Sequence, residues 1–475
     1  MPENKKLTDQ VTKVDIVLLR PPVDTPFERF NDDSKKTIIG EPLGLALISS
    51  FLKASGIRVA FFDSPLENWD EQKTINEILA LQPRVIGVLA RYPFLASIER
   101  ILSRIRSNIP EIYTIAGGQY ATLNPRLLLD LVPSLDSVGC GDGEDLMLSV
   151  MMDILNEQKP SHSRLFSRKP SASSRSTASV SDLNTLPWAD RKYLTTAQNL
   201  GFETVGITSS RGCPFRCSFC VPHIFSRTSA PSAWRARSVL SIADEIEHHW
   251  KEGNSLFTFS DEHFLPHKEA KLRAVDFADT VKYRNMEIEF MFDCRADSVE
   301  HALFAKLKRA GLMRVFIGFE TLDSEGLLAF QKDLSSRHNL EAVRICKDLE
   351  IELIPGMIFF HPWATPMSVL ANLEFHAQSF ELFDWDDFTT CLKAIPGTPI
   401  VERIRADGLL GNLRNGLFEW SFKHRETDRL FTSFNQTLEN YRSLYKKTAS
   451  DKLALRSLKE HIIETLKNEV RNATK

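Results

Sequence analysis

Three cysteines within eight residues are the part of this sequence whose composition and spacing best suit chemistry. They follow the pattern Cys213-x-x-x-Cys217-x-x-Cys220. Three thiolates on one short loop can bind three corners of a cubic four-iron cluster, whereas a cluster that only transfers electrons normally has four cysteine ligands. One iron is then left without a protein ligand and can bind something else, much as a catalytic zinc site keeps one open position.

Two simpler interpretations of these cysteines stay open. A zinc site would need a fourth protein ligand, for which His223 is the nearest candidate. Alternatively, the thiols are buried and structural. The remaining cysteines stand far apart and form no second Cys-x-x-Cys pattern, which argues against a disulfide framework and against a second cluster bound by cysteine alone. We expect each of them to be a small core residue; they are Cys140, Cys294, Cys346 and Cys391.

The segment Arg211–Cys220 resembles the signature loop of the radical S-adenosylmethionine (radical SAM) superfamily. The resemblance implies a [4Fe-4S] cluster whose unique iron is chelated by S-adenosylmethionine, and cleavage of that molecule to a 5′-deoxyadenosyl radical. Phe219 stands at the aromatic position that the family places beside the adenine. The resemblance also implies an external electron donor such as flavodoxin or ferredoxin.

Composition is that of an ordinary globular enzyme. At 475 residues the chain is long enough for two or three domains. The net charge of -3 gives no reason to expect a nucleic acid or an anionic membrane as partner. No apolar run is long enough for a membrane span, and the polar start of the sequence does not resemble a signal peptide. These features favour a cytoplasmic protein.

Residues 1–156 alternate between short apolar runs and segments with helical spacing, which predicts an α/β domain with a parallel, doubly wound, Rossmann-like sheet. Ligands of such sheets bind at the carboxyl ends of the strands. Glycines in the loops there would let the backbone approach a bulky ligand closely. The five predicted strands are Val14–Leu19, Ile57–Phe62, Val85–Ala90, Tyr113–Ala116 and Ser137–Gly139.

A Rossmann-like domain ahead of the cysteine loop resembles the cobalamin-binding subgroup of the radical SAM enzymes. The domain lacks the Asp-x-His-x-x-Gly motif of many cobalamin proteins and has no histidine before His162, so it offers cobalt no axial imidazole. The alternative is a scaffold that binds no cofactor. The resemblance implies cobalamin contacts at Gly44, Arg91, Tyr92, Gly117, Gly118, Gln119, Gly141, Gly143 and Glu144.

Residues 157–200 contain a low-complexity polar stretch, which predicts a linker. Strand and helix patterns then alternate over residues 201–405, where we expect a partial barrel of six strand–helix units with its active site at the carboxyl ends of the strands. Residues 406–475 read as a mostly helical region.

Polar residues at the predicted strand ends match positions that the superfamily uses for S-adenosylmethionine: Asp261, Glu262, Arg295 and Glu320. A carboxylate there suits the methionine ammonium group. The alternative is a set of salt bridges at the barrel mouth, with Glu320 paired to Arg295. His361 is a candidate general base or substrate contact, and its alternative is a packing role.

The resemblance as a whole favours a cobalamin-dependent C-methyltransferase that acts on an unactivated carbon of a small-molecule or natural-product substrate. A second hypothesis keeps the cluster without cobalamin and predicts a dehydratase, epimerase or cyclase acting on a sugar-like or alicyclic substrate. A third is a non-catalytic, metal-binding interaction module.

Overall fold

The chain forms two compact units, both of the predicted α/β class. The first comprises the described residues of Met1–Glu203 with those of Arg227–Pro231, and the second those of Thr204–Ser226 and Ser232–Lys475. Among these residues, every helix is too short or too polar to cross a membrane. The computed structural model describes residues 14–23, 40–168, 180, 182–229, 232–380, 383, 387–448 and 451–473.

The first unit is built on a sheet of six strands in the order β2-β1-β3-β4-β5-β6. Strands β1 to β5 pair in parallel, as predicted, and β6 is an antiparallel addition at the edge. Because helices cover both faces of a parallel sheet, its strands are nearly continuous apolar runs. The strands are β1 (Ile16–Arg20), β2 (Val59–Asp63), β3 (Val85–Leu89), β4 (Tyr113–Gly117), β5 (Ser137–Gly139) and β6 (Leu165–Ser167).

Strand order in this sheet reverses between β1 and β3, because the chain leaves β1 towards β2 and returns to pair on the other side of β1. The reversal opens a crevice at the carboxyl ends of those two strands, where ligands of doubly wound sheets bind. The helices of the unit are α1 (Leu43–Ala54), α2 (Glu71–Leu81), α3 (Leu95–Asn108), α4 (Gln119–Leu123), α5 (Pro125–Leu131), α6 (Glu144–Leu155) and α7 (Leu194–Asn199).

The described part of the predicted linker packs within the first unit. Strand β6 joins the sheet, and the Tyr193 hydroxyl accepts a hydrogen bond from Asp63 N at 3.1 Å. Asp190 forms an ion pair with Lys53 at 2.6 Å. The linker prediction rested on the polar stretch between residues 157 and 182, of which residues 169–179 and 181 lie outside the described residues.

The second unit contains a parallel sheet of five strands in the order β13-β12-β11-β10-β7. The sequence predicted six. Among the described residues, the sixth position is reduced to an isolated parallel bridge between Phe360 and Cys391. A separate two-stranded sheet pairs β8 with β9. The strands are β7 (Val205–Ile207), β8 (Ser210–Gly212), β9 (Trp234–Ala236), β10 (Leu256–Phe259), β11 (Glu289–Arg295), β12 (Leu312–Glu320) and β13 (Glu352–Met357).

Helices follow the strands of this sheet, and the C-terminal region adds a hairpin and two long helices. The hairpin pairs β14 (Leu410–Arg414) with β15 (Leu417–Trp420). The helices are α8 (Pro222–Ser229), α9 (Val239–Lys251), α10 (Lys268–Tyr283), α11 (His301–Arg309), α12 (Ser324–Ala329), α13 (Ser336–Asp348), α14 (Pro366–Ser379), α15 (Pro399–Ala406), α16 (Arg425–Thr448) and α17 (Lys452–Ala473).

Alternation along β11 decides which side chains reach the inner face of the barrel. Phe290 and Phe292 are fully buried on the helix side, where Phe290 packs edge-on against Phe277 with ring centroids 5.5 Å apart. Successive strand residues point to opposite faces. Asp293 and Arg295 therefore lie together on the inner face, held there by the aromatic packing behind them.

We predict that Phe290→Ala destabilises the second unit by about 3–5 kcal/mol, because it leaves a cavity among closely packed aromatic rings. Tyr283→Ala is the matched control, since Tyr283 is 87% exposed at the end of α10. Urea unfolding followed by near-ultraviolet circular dichroism measures both. An equal midpoint for the two variants would contradict the assigned packing.

Candidate active site

The cysteine loop starts from a backbone geometry that only glycine adopts easily. Gly212, the last residue of β8, has a φ of +99°, and a Cβ there would lie 2.2 Å from Ala233 O. Its N–H donates to Glu262 Oε2 at 2.8 Å. The chain therefore enters Cys213 along a fixed direction, which the predicted site residue Glu262 helps to hold.

The middle of the loop is anchored by Ser218, the residue after Cys217. Its N–H donates to Phe330 O at 2.9 Å, and its hydroxyl donates to Ala329 O at 2.7 Å. Its carbonyl accepts from Ile400 N at 2.9 Å. The loop is thus tied to the end of α12 and the start of α15, and both ties use backbone atoms that do not depend on side-chain identity at the partner residues.

The spacing of the three sulfur atoms fits a cluster better than a single metal ion. All three cysteines are described, yet their Sγ atoms do not form a group within 4.8 Å of one another. Thiolates on one tetrahedral zinc would lie roughly 3.8 Å apart, given Zn–S bonds of about 2.3 Å. An iron–sulfur cluster binds each thiolate through a different iron, so wider spacing suits it. The geometry therefore favours the cluster over the zinc alternative.

Positive charge lies beside these thiols. Burial raises the pKa of Cys213 to about 11 and raises that of Cys220 further, because the neighbouring thiols add like charge. Arg295 opposes this effect, with Nη1 3.7 Å from Cys217 Sγ. The guanidinium also lies 4.0 Å from the centroid of the Phe215 ring and donates to Lys332 O at 2.6 Å. Arg295 is therefore a fixed cation of the cysteine loop.

Glu320 pairs with Lys332 and not with Arg295, so the predicted alternative pairing is wrong. Its Oε1 lies 2.5 Å from Lys332 Nζ, and both side chains are nearly buried. Arg295 instead pairs with Asp297 at 3.1 Å. Glu320 also has a φ of +64°, in the left-handed region that non-glycine residues rarely adopt. Such strain is typical of functional positions.

Asp261 has its oxygens occupied. Oδ1 accepts from the N–H groups of Ser209 and Ser210 at 2.8 and 3.0 Å, and Oδ2 accepts from their hydroxyls at 2.5 and 2.6 Å. The residue is only 3% exposed. This geometry suits a support for the loop better than a ligand for an ammonium group. Glu262, whose pKa is raised by burial, is the better placed of the two carboxylates.

His361 lies in a buried aromatic cluster. It is fully buried, its ring centroid is 5.3 Å from that of Phe330, and neither ring nitrogen has a hydrogen-bond partner among the described residues. Burial lowers its pKa to about 4. Phe219 packs against the same Phe330 ring, with the two ring centroids 5.2 Å apart. The placement favours the packing alternative for His361, behind the cysteine loop.

Two residues of this region escaped the sequence reasoning. Lys332 lies in a loop twelve positions after Glu320, and no motif marked it. Asp293 shares the inner face of β11 with Arg295, and its carboxylate has no partner among the described residues. Desolvation raises the pKa of Asp293 to about 7, and the charge of Asp261 adds to the shift. Strand alternation was the signal that would have revealed Asp293.

In the first unit, two of the predicted glycines face open space. A Cβ built on Gly44 or Gly117 meets no atom within 4 Å. Gly118 has a φ of +103° and begins α4. At Gly143 a Cβ would meet Ile48 at 2.5 Å, so this glycine permits packing of α6 against α1. Gly44 and Gly117 can therefore border a ligand, whereas Gly143 serves the packing of two helices.

The remaining predicted contacts vary in exposure. Arg91 and Gln119 are exposed, Tyr92 is partly buried, and Glu144 is buried in the first turn of α6. Gly141 has a φ of +78°, and its N–H donates to Thr122 Oγ1 at 2.9 Å. All lie in segments that follow the carboxyl ends of the parallel strands β3, β4 and β5.

Tyr120 is a further polar group that the sequence reasoning missed. The residue is 4% exposed, and its hydroxyl has no hydrogen-bond partner among the described residues. Burial raises its pKa to about 12. A buried polar atom without a partner is costly unless a ligand or water satisfies it. Together with the open space at Gly117, this observation fits a polar cofactor at the carboxyl end of β4.

Comparison with known proteins finds both predicted domains. The model of the radical SAM superfamily matches residues 207–365, and the model of the B12 binding domain matches residues 37–150. The chain is a radical SAM protein with a B12-binding domain. The family confirms the predicted enzyme class and implies the [4Fe-4S] cluster and S-adenosylmethionine, and the B12-binding domain supports cobalamin.

Two curated relatives carry different activities in their names. This radical SAM protein is 25% identical over 405 residues to "Uncharacterized methyltransferase PH0819" of Pyrococcus horikoshii, which covers 83% of this chain and 84% of the relative. It is 25% identical over 339 residues to the anaerobic magnesium-protoporphyrin IX monomethyl ester cyclase of Rubrivivax gelatinosus, which covers 66% of this chain and 59% of the relative. The match therefore spans under two thirds of the cyclase.

The fold also resembles a solved structure. The cobalamin-dependent S-adenosylmethionine radical enzyme OxsB, with aqua-cobalamin and S-adenosylmethionine bound, superimposes with a TM-score of 0.77. The alignment covers 97% of this chain and 72% of that one at 18% identity. At this identity the likeness establishes the fold.

We predict that Cys217→Ala abolishes assembly of the cluster during anaerobic reconstitution, because a cubane held by two thiolates loses a protein ligand it needs. Cys140→Ala is the control, since Cys140 is buried in the first unit. Iron and sulfide analysis with EPR spectroscopy of the reduced protein measures both. Retention of the full iron content in Cys217→Ala would contradict the assignment.

We further predict that Gly117→Val weakens cobalamin binding by roughly tenfold or more, about 1.4 kcal/mol, because the new side chain enters open space at the carboxyl end of β4. Ser107→Val, near the end of α3, is the control because Ser107 is exposed away from that edge. Equilibrium dialysis with hydroxocobalamin gives both affinities. An unchanged affinity of the Gly117→Val variant for hydroxocobalamin would show that cobalamin binds elsewhere.

Proposed function

We propose that this protein transfers a methyl group to an unactivated carbon of a small-molecule substrate, using a radical mechanism and cobalamin. The observation that carries the proposal is the pairing, in one chain, of a three-thiol loop spaced for an open cluster with a B12-binding domain that has open space at Gly117. A relative whose name calls it a methyltransferase aligns over most of both chains and supports the choice of reaction.

The chain's own residues provide binding and orientation. Cys213, Cys217 and Cys220 would bind the cluster, with Arg295 beside Cys217. When bound, the cluster, S-adenosylmethionine and cobalamin supply reductive cleavage, the abstracting radical and the methyl group. The protein positions these groups and excludes water.

Four side chains are proposed to contact S-adenosylmethionine. Glu262 suits the methionine ammonium, because its carboxylate lies beside the start of the cysteine loop. Glu320, with Lys332, offers paired charges to the polar part of the molecule. Phe219 offers an aromatic face for the adenine, and Arg295 a guanidinium for a carboxylate or ribose oxygen.

Substrate is proposed to bind against the inner face of the second unit. Asp293 lies there, two residues before Arg295 on the same strand, and its carboxylate has no hydrogen-bond or ion-pair partner among the described residues. Its raised pKa allows the carboxyl group to be protonated or ionised near neutral pH. It can therefore hold a hydroxyl or an amine of a substrate close to the carbon that reacts.

A reaction without methyl transfer is the second candidate, and the cyclase of Rubrivivax gelatinosus favours it. Such an enzyme would use the same cluster and the same S-adenosylmethionine contacts. The two candidates differ in the fate of the methyl group and not in the early steps. We also propose a cytoplasmic location with an external electron donor, because the thiolates and the reduced cluster require a reducing compartment.

We predict that the anaerobically reconstituted enzyme cleaves S-adenosylmethionine to 5′-deoxyadenosine under dithionite, because one cluster iron is open to it. With S-[methyl-d3]adenosylmethionine and cobalamin, a methyltransferase forms d3-methylcobalamin, detected by mass spectrometry. Omission of cobalamin is the control for the label. Cleavage without any label in the corrinoid would favour the second candidate, and absence of cleavage would contradict both.

A further inference from the structure

One row of side chains crosses the inner face of the parallel sheet in the second unit. The strand register places Asp293 of β11 beside Phe316 of β12, and Phe316 beside Ile354 of β13. Residues paired in this way point to the same face of a sheet. Asp293 is exposed and the other two are partly exposed, whereas Val315, which points to the helix side, is fully buried. The row therefore borders open space on the inner side of the sheet.

The carboxyl group of Asp293 is accessible to solvent and yet desolvated. Desolvation raises its pKa to about 7, and the charge of Asp261 adds to the shift. An accessible group that is desolvated by the protein around it lines a concave space, since on a convex surface it would be fully hydrated. Among the described residues, the carboxylate has no hydrogen-bond or ion-pair partner. It is therefore available to a ligand that enters this space.

Two cations on the same face of the sheet have other carboxylates as partners. Arg295, two residues after Asp293, pairs with Asp297 at 3.1 Å. Arg314 of β12 pairs with Glu352 of β13 at 2.8 Å. Neither arginine forms an ion pair with Asp293, so ionisation of Asp293 leaves a negative charge that a ligand can compensate.

Phe316 provides an aromatic surface next to this carboxyl group. Its ring reaches over Gly356 of β13, where an added Cβ would lie 2.5 Å from Phe316 Cζ. A glycine inside a strand often marks a place where another group approaches closely. The Phe316 ring is partly exposed, and no second aromatic ring packs against it in the described part of the chain. It is therefore also available to a ligand.

A carboxylate beside an aromatic ring suits a cationic amine. The carboxylate forms charge-assisted hydrogen bonds with an ammonium group, and the face of an aromatic ring attracts the same cation. A hydroxyl group would gain the hydrogen bond without the attraction between charges. A phosphate or carboxylate would be repelled by Asp293, and the repulsion is stronger where water is scarce. The two side chains therefore discriminate between ligands by charge.

We infer that Asp293 and Phe316 form a subsite that selects substrates with a cationic amine. The inference rests on the proposed function and narrows its substrate class from a hydroxyl or an amine to an amine. Asp293 is here a specificity-determining residue, which binds the ammonium group and takes no part in making or breaking a bond. The subsite adjoins Arg295, a proposed contact of S-adenosylmethionine on the same strand.

The test measures binding to the anaerobically reconstituted enzyme with S-adenosylmethionine and without reductant, so it does not depend on turnover. The probes are phenylalkylamines of increasing chain length, each paired with its isosteric alcohol. Dissociation constants from saturation-transfer NMR should be roughly tenfold lower for the best amine than for its alcohol. Asp293→Asn should bring this ratio to about one, because the amide carries no charge. Retained alcohol binding shows that the variant is folded.

Phe316→Leu is a second, independent variant. It should weaken binding of the best amine by roughly fivefold, because leucine fills similar space without attracting a cation. An unchanged amine affinity in Phe316→Leu would remove the aromatic ring from the subsite and overturn the inference.

Glu289→Gln is the matched control, because Glu289 is an exposed carboxylate on the same face of β11, about 13 Å along the strand from Asp293. It should leave the ratio of amine to alcohol affinity unchanged. Equal ratios in Asp293→Asn and Glu289→Gln would overturn the inference. So would a parent enzyme that binds the alcohols as tightly as the amines, or one that binds none of the amines.

Failure of the inference and failure of the proposed function give different results. If no 5′-deoxyadenosine forms with dithionite, the proposed function is wrong, whatever the affinities for amines. If it forms, but the amines bind no better than the alcohols, the subsite alone is wrong. Equilibrium dialysis of Asp293→Asn with S-adenosylmethionine completes the test. A tenfold loss of affinity for that molecule would assign Asp293 to S-adenosylmethionine and overturn the inference.

Discussion

Asp261 is the buried charge on which the second unit's active site depends. Its carboxylate accepts four hydrogen bonds from Ser209 and Ser210, the residues between β7 and the start of the cysteine loop. Burying an ionised carboxylate is costly unless it is hydrogen-bonded and paired. Both conditions are met, since Arg273 Nη2 lies 3.8 Å from Oδ2. Removing the carboxylate would remove all four of these hydrogen bonds and the ion pair with Arg273, and would loosen the turn into the loop.

The same argument explains the two cations beside the cysteines. Burial raises the pKa of Cys213 and of Cys220, and the like charge of the neighbouring thiols adds to the shift, so the thiols of this loop resist ionisation. Arg295 and Lys332 oppose that resistance at Cys217. Lys332 is itself held by its ion pair with Glu320. The backbone of Glu320 is in the strained left-handed region, and this contact helps to hold it there. The charges of the site therefore balance one another and cannot be altered singly.

Much of this architecture could be predicted from the sequence, because it is encoded locally. The five parallel strands of the first unit are short, mostly apolar runs, and the spacing of Cys213, Cys217 and Cys220 is visible in eight letters. Strand β6 was missed because its three residues, Leu165–Ser167, are too few to show a strand period and depend on pairing with β5. A short edge strand is defined by its neighbour more than by its own composition.

Ion pairs between residues far apart in the sequence could not be predicted. The alternation of apolar and polar residues shows which face of a strand a side chain lies on, but it does not show which charged residues pair across that face. Lys332, in the loop after α12, reaches Glu320, while Asp297, two residues after Arg295, engages Arg295. Asp261 and Glu262 are adjacent in sequence, yet they contact different parts of the loop. Asp261 accepts hydrogen bonds from Ser209 and Ser210, whereas Glu262 accepts one from the N–H of Gly212.

The carboxyl group of Asp293, which has no ion-pair partner among the described residues, indicates a ligand-binding position that the paired charges do not reveal. Arg295 and Glu320 have partners in Asp297 and Lys332, so their positions are explained by the fold. Asp293 has none among the described residues, and desolvation raises its pKa, with the charge of Asp261 adding to the shift. Because the folded state favours the protonated form, ionisation of Asp293 costs stability as pH rises towards 7. A carboxyl group without a partner beside the proposed S-adenosylmethionine contacts is the group that we propose for binding the substrate.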